Sequence, residues 1–223
     1  MQALERRAAA GRRRAEERWE AALGHFGGTL EQMALRYRAA GRVTLNFHPD
    51  RVGRNGMTVA SGLLNSGRYQ SQWVTGLSAG SRSAIPGGER QRFEGGLFDG
   101  EYDRADPAEI EFPVYGSFDL VFDPHGGSPR FGSSFVVLRR HVLNRTTRCL
   151  GDSHMGPRDV GTIDEPWQLL AGLAEQAAQG ALLNRRLGVG VLLQACEGTY
   201  RSHRPSRDLD GYVEAQVHGG VSL

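Results

Sequence analysis

The chain has 223 residues, 39% hydrophobic and 23% charged, which describes a soluble globular protein long enough to bury a core. Its formal net charge of +2 gives no argument for nucleic acid, and no apolar run approaches the roughly 20 residues of a membrane helix. Two cysteines, Cys149 and Cys196, are too few for a disulfide framework or a four-cysteine metal site and are expected as reduced core thiols.

All 27 basic residues are arginine. The opening MQALERRAAAGRRRAEERW is arginine-rich without an apolar core, so it does not read as a secretion signal. Residues 1 to 26 are expected to form a helix with Trp19, Leu23 and Phe26 on one stripe and a solvated charged face. GGTLEQMALRYRAAG predicts a second helix, with Thr29 and Gln32 as a capping box and Gly41 as a stop. RVTLNFHPD then alternates as a strand, Val43, Leu45 and Phe47 on one face and Thr44, Asn46 and His48 on the other, ended by Pro49. MTVASGLLNSG predicts a short helix capped by Thr58 and stopped at Gly67. From Arg68 to Asp103 a long ordered loop is expected, carrying one short helix near Glu89 to Phe98.

Strands are predicted over PVYGSFDLVF and SSFVVLRR, joined by the turn-rich DPHGGSPRFG, and RTTRCLGDSHMGPRDVG reads as loop. DEPWQLLAGLAEQAAQGALLN is the clearest helix, with Asp164 as its cap, Pro166 in its first turn, and Trp167, Leu170, Ala174 and Ala177 as its apolar stripe. RLGVGVLLQACEG and GYVEAQVHGGVSL are expected to supply the last strands. In the closing strand Tyr212, Glu214, Gln216 and His218 project to one side and Val213, Ala215 and Val217 to the other. That polar row is either the wet side of a half-buried strand or the floor of a site. The irregular order of elements predicts an α+β fold with a mainly antiparallel sheet, one domain over residues 1–223 with an N-terminal helical segment over 1–41.

Three motifs are weaker than they look. GLSAG places Ser78 as in a nucleophile elbow, but SRSAIPGGER cannot start the helix that such an elbow needs. His48, Asp50, His125, His141, Asp152 and His154 lack the spacing that makes a metal site specific, so none is assigned. GVGVLLQ has neither the full glycine pattern nor the lysine of a phosphate loop and reads as a buried strand.

The segments FHPDR, SGRYQSQWVTGLSAG, GGERQRFEGGLFDGEYD, VYGSFDL, PRFGSSFVVLR, RTTRCLGDSHMGP and YVEAQVHG resemble a bacterial family known as domain of unknown function 3626. NFHPDR with the helix ending GLLNSGRY, and later VEAQVHGGVSL, are also similar to the first strand and the glutamate strand of the ADP-ribosyltransferase superfamily. The second resemblance implies a mainly antiparallel split sheet, with N-terminal helices and one long helix packed outside, and NAD as substrate. Residue by residue, His48 would hold the ribose hydroxyls with Arg51 competing for that role, and Tyr69 would stack on the nicotinamide. Glu214 would be the catalytic acid on the nicotinamide ribose, while Thr75, Ser133, Ser134 and Gln216 would complete the NAD-binding set. The toxin branch of that superfamily has acid-x-acid on its glutamate strand, whereas this chain reads Glu214-Ala215-Gln216, leaving Glu214 or Gln216 at the catalytic position. Arg82, Arg90 or Arg92, in the loop after Tyr69, would reach the pyrophosphate.

The implied activity is that of an NAD-dependent ADP-ribosyltransferase or NAD glycohydrolase acting on a protein or nucleic-acid acceptor, as a toxin or effector. It would be cytoplasmic, or delivered without a classical signal peptide. Its chemistry suits what the chain offers. Breaking the nicotinamide–ribose bond builds positive charge on the sugar, which a fixed carboxylate stabilises without metal, cysteine or lysine. Two other classes compete: a metal- or serine-dependent hydrolase using His48, Asp152 and His154, and a non-catalytic partner-binding domain.

Overall fold

The computed structural model describes residues 2–26, 28–77, 84–103, 111–157, 159–204 and 211–223, so the Ser78 elbow motif and Arg82 lie outside it. Three helices open the chain: α1 (Gln2–Ala10), α2 (Arg12–Leu23) and α3 (Leu30–Ala39). The single helix expected over residues 1–26 is therefore two, broken at Gly11. A Cβ there would collide with the side chain of Gln168, so the bare backbone is what lets the chain pass so close. Trp19 and Leu23 are buried as expected, but a 3-10 turn over Gly24–Phe26 carries Phe26 off the stripe and leaves it 88% exposed. The capping box of α3 forms in full, Gln32 N–H donating to the Thr29 hydroxyl and Thr29 N–H to the Gln32 amide oxygen.

The strands follow as β1 (Arg42–Phe47), β2 (Arg68–Tyr69), β3 (Val114–Asp119), β4 (Ser134–Val137), β5 (Thr146–Leu150), β6 (Val160–Gly161), β7 (Val213–Val217) and β8 (Val221–Ser222). Six of them form one sheet in the order β4-β1-β3-β7-β5-β6, and β2 pairs with β8. Every pairing between these strands is antiparallel, so the fold is α+β with a mainly antiparallel sheet. Between β1 and β3 stand α4 (Val59–Ser66), capped by the Thr58 hydroxyl and ended by Gly67 in a left-handed conformation, then α5 (Gln72–Thr75) and α6 (Glu89–Phe98). After β6 comes α7 (Trp167–Ala178), with Pro166 rather than Asp164 at its N-cap.

The stretch RLGVGVLLQACEG is not a strand. Its central residues form α8 (Val189–Cys196), started at Gly188 and burying Leu192, Ala195 and Cys196. An apolar run of this length carries no period of its own, so packing partners decide its state, and here they are the helices α3 and α7.

These helices form a layer over one face of the sheet. Trp19, Tyr37, Leu170 and Leu173 meet Val43, Leu45, Phe118, Val213, Ala215 and Val217 in the main core. α6 lies against the other face, where Phe98 contacts the ring of His218 at 5.3 Å between centroids. The alternation of β7 thus sorts its apolar row to the helical core and its polar row to the opposite side.

Within the core, Arg148 is fully buried, and none of its guanidinium nitrogens has a hydrogen-bond partner among the described residues. The group lies 4.3 Å above the Phe118 ring, and burial lowers its pKa. A desolvated cation without a hydrogen-bonded counter-ion costs stability that π contacts and the more distant charge of Asp164 only partly offset. Arg148→Met should therefore raise stability by about 1–4 kcal/mol, read as a higher denaturant midpoint. A lower midpoint would show that the π contacts outweigh the burial.

Candidate active site

Behind the polar row of β7 lies a cavity of about 370 Å³. It is walled by the end of β1, the α4 and α5 segments, β2, β3, the turns around Arg130 and Ser153, and Glu214 of β7. Such a volume falls within the roughly 300–1,000 Å³ of small-molecule sites.

The floor is a chain of hydrogen bonds. Glu214 is 5% exposed and sits between β3 and β5 in the sheet, opposite Ser117 and Cys149. Its Oε1 accepts from the Gln216 amide at 2.8 Å and its Oε2 from the Tyr212 hydroxyl at 3.1 Å. The Gln216 oxygen accepts from the Thr147 hydroxyl at 2.8 Å, and Thr147 Oγ1 lies 3.0 Å from His218 Nε2. His218 Nδ1 in turn lies 2.5 Å from the Tyr102 hydroxyl. With the Thr147 proton committed to Gln216, His218 must donate from Nε2 and accept at Nδ1, which sets its tautomer. Every residue of the polar row is buried, so the row is not the wet side of a strand.

Burial, helped by the nearby charge of Asp152, pushes the Glu214 carboxyl up to about 7 against donors from Ser153 and Gln216. Burial pushes His218 the other way, down to about 3, so it stays neutral.

Five of the eight catalytic and NAD-binding residues that the resemblance implies meet in the cavity wall: His48, Arg51, Tyr69, Thr75 and Glu214. His48 follows directly on β1, and its carbonyl accepts from Arg51 N–H at 3.4 Å across the turn. The Tyr69 hydroxyl donates to the Asn46 carbonyl at 3.4 Å, and its ring meets Phe47 edge-on at 6.0 Å. Thr75 ends α5, its hydroxyl donating to the Ser71 carbonyl. Three others stand outside the wall. Gln216 lies behind Glu214 and orients it, Ser133 is exposed, and Ser134 pairs with Phe47 at the start of β4.

Arginines are arranged differently from the sequence expectation. Arg90 lines the cavity, but it pairs with Glu94 at 3.2 Å. That carboxylate also accepts from Tyr115 and Trp73, so Arg90 is held in the wall. Arg92 is exposed and outside the lining. Arg130 was not singled out in the sequence. Its guanidinium lies 4.5 Å above the Phe131 ring and 5.7 Å separates Phe131 from Tyr212. Arg130 Nη1 and Gln72 Oε1 are both buried without a hydrogen-bond partner among the described residues, and both residues line the cavity. Buried polar atoms left unpaired in a cavity wall are what a polar ligand satisfies. Asp152, Ser153 and His154 also reach the cavity, although no cluster of three or more metal-ligating groups occurs among the described residues.

A family model described as "Protein of unknown function (DUF3626)" matches residues 42–223, from the first residue of β1 onward. The chain is also similar to the "Gene 2 protein" of Mycobacterium phage L5, 29% identical over 161 residues. That match covers 71% of this chain and 56% of the phage protein, so the chain spans little more than half of that relative's length. No helix among the described residues is long and apolar enough to cross a membrane.

Proposed function

The chain belongs to the family described as Protein of unknown function (DUF3626), and from that premise we propose that its cavity binds NAD and cleaves the nicotinamide–ribose bond. One observation carries the proposal: His48, Arg51, Tyr69 and Thr75 from the β1–α5 region and Glu214 from β7, far apart in the chain, line the same cavity.

Each residue has a role that its placement supports. The Tyr69 ring offers a face to the pyridinium, whose positive charge such a face attracts. His48 bonds ribose hydroxyls from the end of β1. Arg130, with Arg51, faces the pyrophosphate; its orphaned Nη1 is a ready donor for a phosphate oxygen. Glu214 stands beside the ribose and stabilises the cationic sugar that forms as the bond breaks. Nicotinamide leaves without needing a proton, so a single acid suffices, and Gln216 serves to orient it rather than to replace it. The separate β2–β8 pair beside the six-stranded sheet, with lining residues from both, supports an ADP-ribosyltransferase-like split of the sheet. The acceptor is water or a macromolecule.

Calorimetric titration with NAD and assay of the nicotinamide released test this. Binding with nicotinamide release is the expected result, while a protein that neither binds nor cleaves NAD contradicts it. Arg130→Ala should weaken ADP-ribose binding by about ten- to a hundred-fold, as loss of a hydrogen bond to a charged group costs about 1.5–3 kcal/mol. Unchanged affinity would remove Arg130 from the site. A stoichiometric metal in the purified protein would favour a metal-dependent hydrolase instead.

A further inference from the structure

We infer that His154, held by Asp152, is the general base that activates a hydroxyl nucleophile for attack on the ribosyl cation in this cavity. The inference rests on the NAD reading above and specifies the acceptor chemistry of the same site.

Asp152 caps the 3-10 turn Ser153–Met155, its carboxylate accepting from the backbone N–H of His154 at 3.2 Å. The same oxygen lies 2.6 Å from His154 Nδ1. A carboxylate there fixes the tautomer, Nδ1–H donating to Asp152 and the Nε2 lone pair left over. Nε2 bonds no protein atom among the described residues, while both His154 and Asp152 line the cavity. The intervening residue, Ser153, is buried and lines the same cavity wall as Glu214. Base and acid therefore line one space, the short turn Ser153–Met155 bringing His154 to the wall that holds Glu214. Nothing in the floor competes for the role. Glu214 is occupied by Tyr212 and Gln216, and the acid-x-acid pair that could supply a second carboxylate on β7 is absent, since Tyr212 and Gln216 flank Glu214 at two residues' distance.

With water as nucleophile the step balances as follows. The ribose C1′–nitrogen bond breaks, and its electron pair neutralises the pyridinium nitrogen to give nicotinamide. A water oxygen bonds to C1′, and its proton passes to His154 Nε2 and then to solvent. Asp152 stabilises the imidazolium meanwhile. The products are ADP-ribose, nicotinamide and one proton. An acceptor hydroxyl takes the place of water without change to the chemistry.

The test compares wild type, His154→Ala, Asp152→Asn and Glu214→Gln for nicotinamide release from NAD, with and without azide. Azide is an anionic nucleophile that needs no base and yields ADP-ribosyl azide. His154→Ala should lose at least about a hundred-fold in water, the lower range for a general base. Asp152→Asn should lose less, and azide should restore both far more than it accelerates wild type. That rescue also shows both variants to be folded. Glu214→Gln should gain nothing from azide, because bond breaking rather than nucleophile activation is impaired. His154→Ala activity in water within a few-fold of wild type overturns the dyad while leaving NAD cleavage standing, as does a loss that azide fails to restore. Absence of nicotinamide release from wild type overturns NAD cleavage and the dyad with it.

Discussion

Glu214→Gln should slow nicotinamide release by about a hundred- to a thousand-fold, the cost of removing one fixed electrostatic stabiliser of about 2.7–4 kcal/mol. The amide keeps the size of the side chain but not the charge that faces the cationic sugar. Because the ionised carboxylate is the active form, wild-type activity should rise with pH through about 7, where burial and Asp152 place the Glu214 ionisation. The same substitution should stabilise the protein at alkaline pH. A carboxyl whose folded pKa is about 7, against an ordinary value of 4.5, binds its proton more tightly folded than unfolded. Stability is therefore lost as pH rises between those values, on the order of 3 kcal/mol in all, and glutamine escapes the loss. A variant less active and more stable at pH 8 marks a functional acid. One that is merely destabilised marks a structural residue.

In the Glu214→Gln background, stability should fall by about 2 kcal/mol on going from pH 7 to pH 5, whereas wild type should change little. The cause is His218, whose pKa burial depresses from 6.5 to about 3. Here the unfolded chain binds a proton that the folded chain refuses, so stability is full above about 6.5 and declines as pH falls toward 3. Wild type hides the effect because protonating Glu214 stabilises the fold over much of the same range. Denaturant midpoints at the two pH values separate the contributions. Adding His218→Gln to Glu214→Gln should flatten the profile again, and persistence of the acid loss in that double variant would assign it to another group.

What was legible in the sequence was local. The Thr29–Gln32 box, the Thr58 cap with its Gly67 stop, and the stripe of α7 each depend on residues within a few turns of one another, so spacing alone reveals them. The alternation of β7 identified a polar row, but not that α6 would cover it and turn four side chains into one hydrogen-bonded line. Thr147 and Tyr102 complete that line from distant segments and carry no local signal. α8 was misread because its valines favour strands while its neighbours favour a helix. Among the candidate residues, His48, Arg51, Tyr69 and Glu214 form one set in the sequence only through a resemblance, and the fold brings all four to one cavity wall. Arg130 carries no such signal, since what marks it is a buried nitrogen left without a partner among the described residues. Asp152 and His154 look like loose metal ligands in the sequence, and only the turn between them shows the carboxylate bonded to the imidazole.

The most direct measurement is nicotinamide release from NAD at pH 8 by wild type and by Glu214→Gln, quantified side by side with a protein-free control. NAD cleavage at the β7 cavity predicts nicotinamide accumulating with wild type well above the control, and a rate about a hundred- to a thousand-fold lower with the variant. Wild type indistinguishable from the control, or a variant that matches wild type, would contradict it.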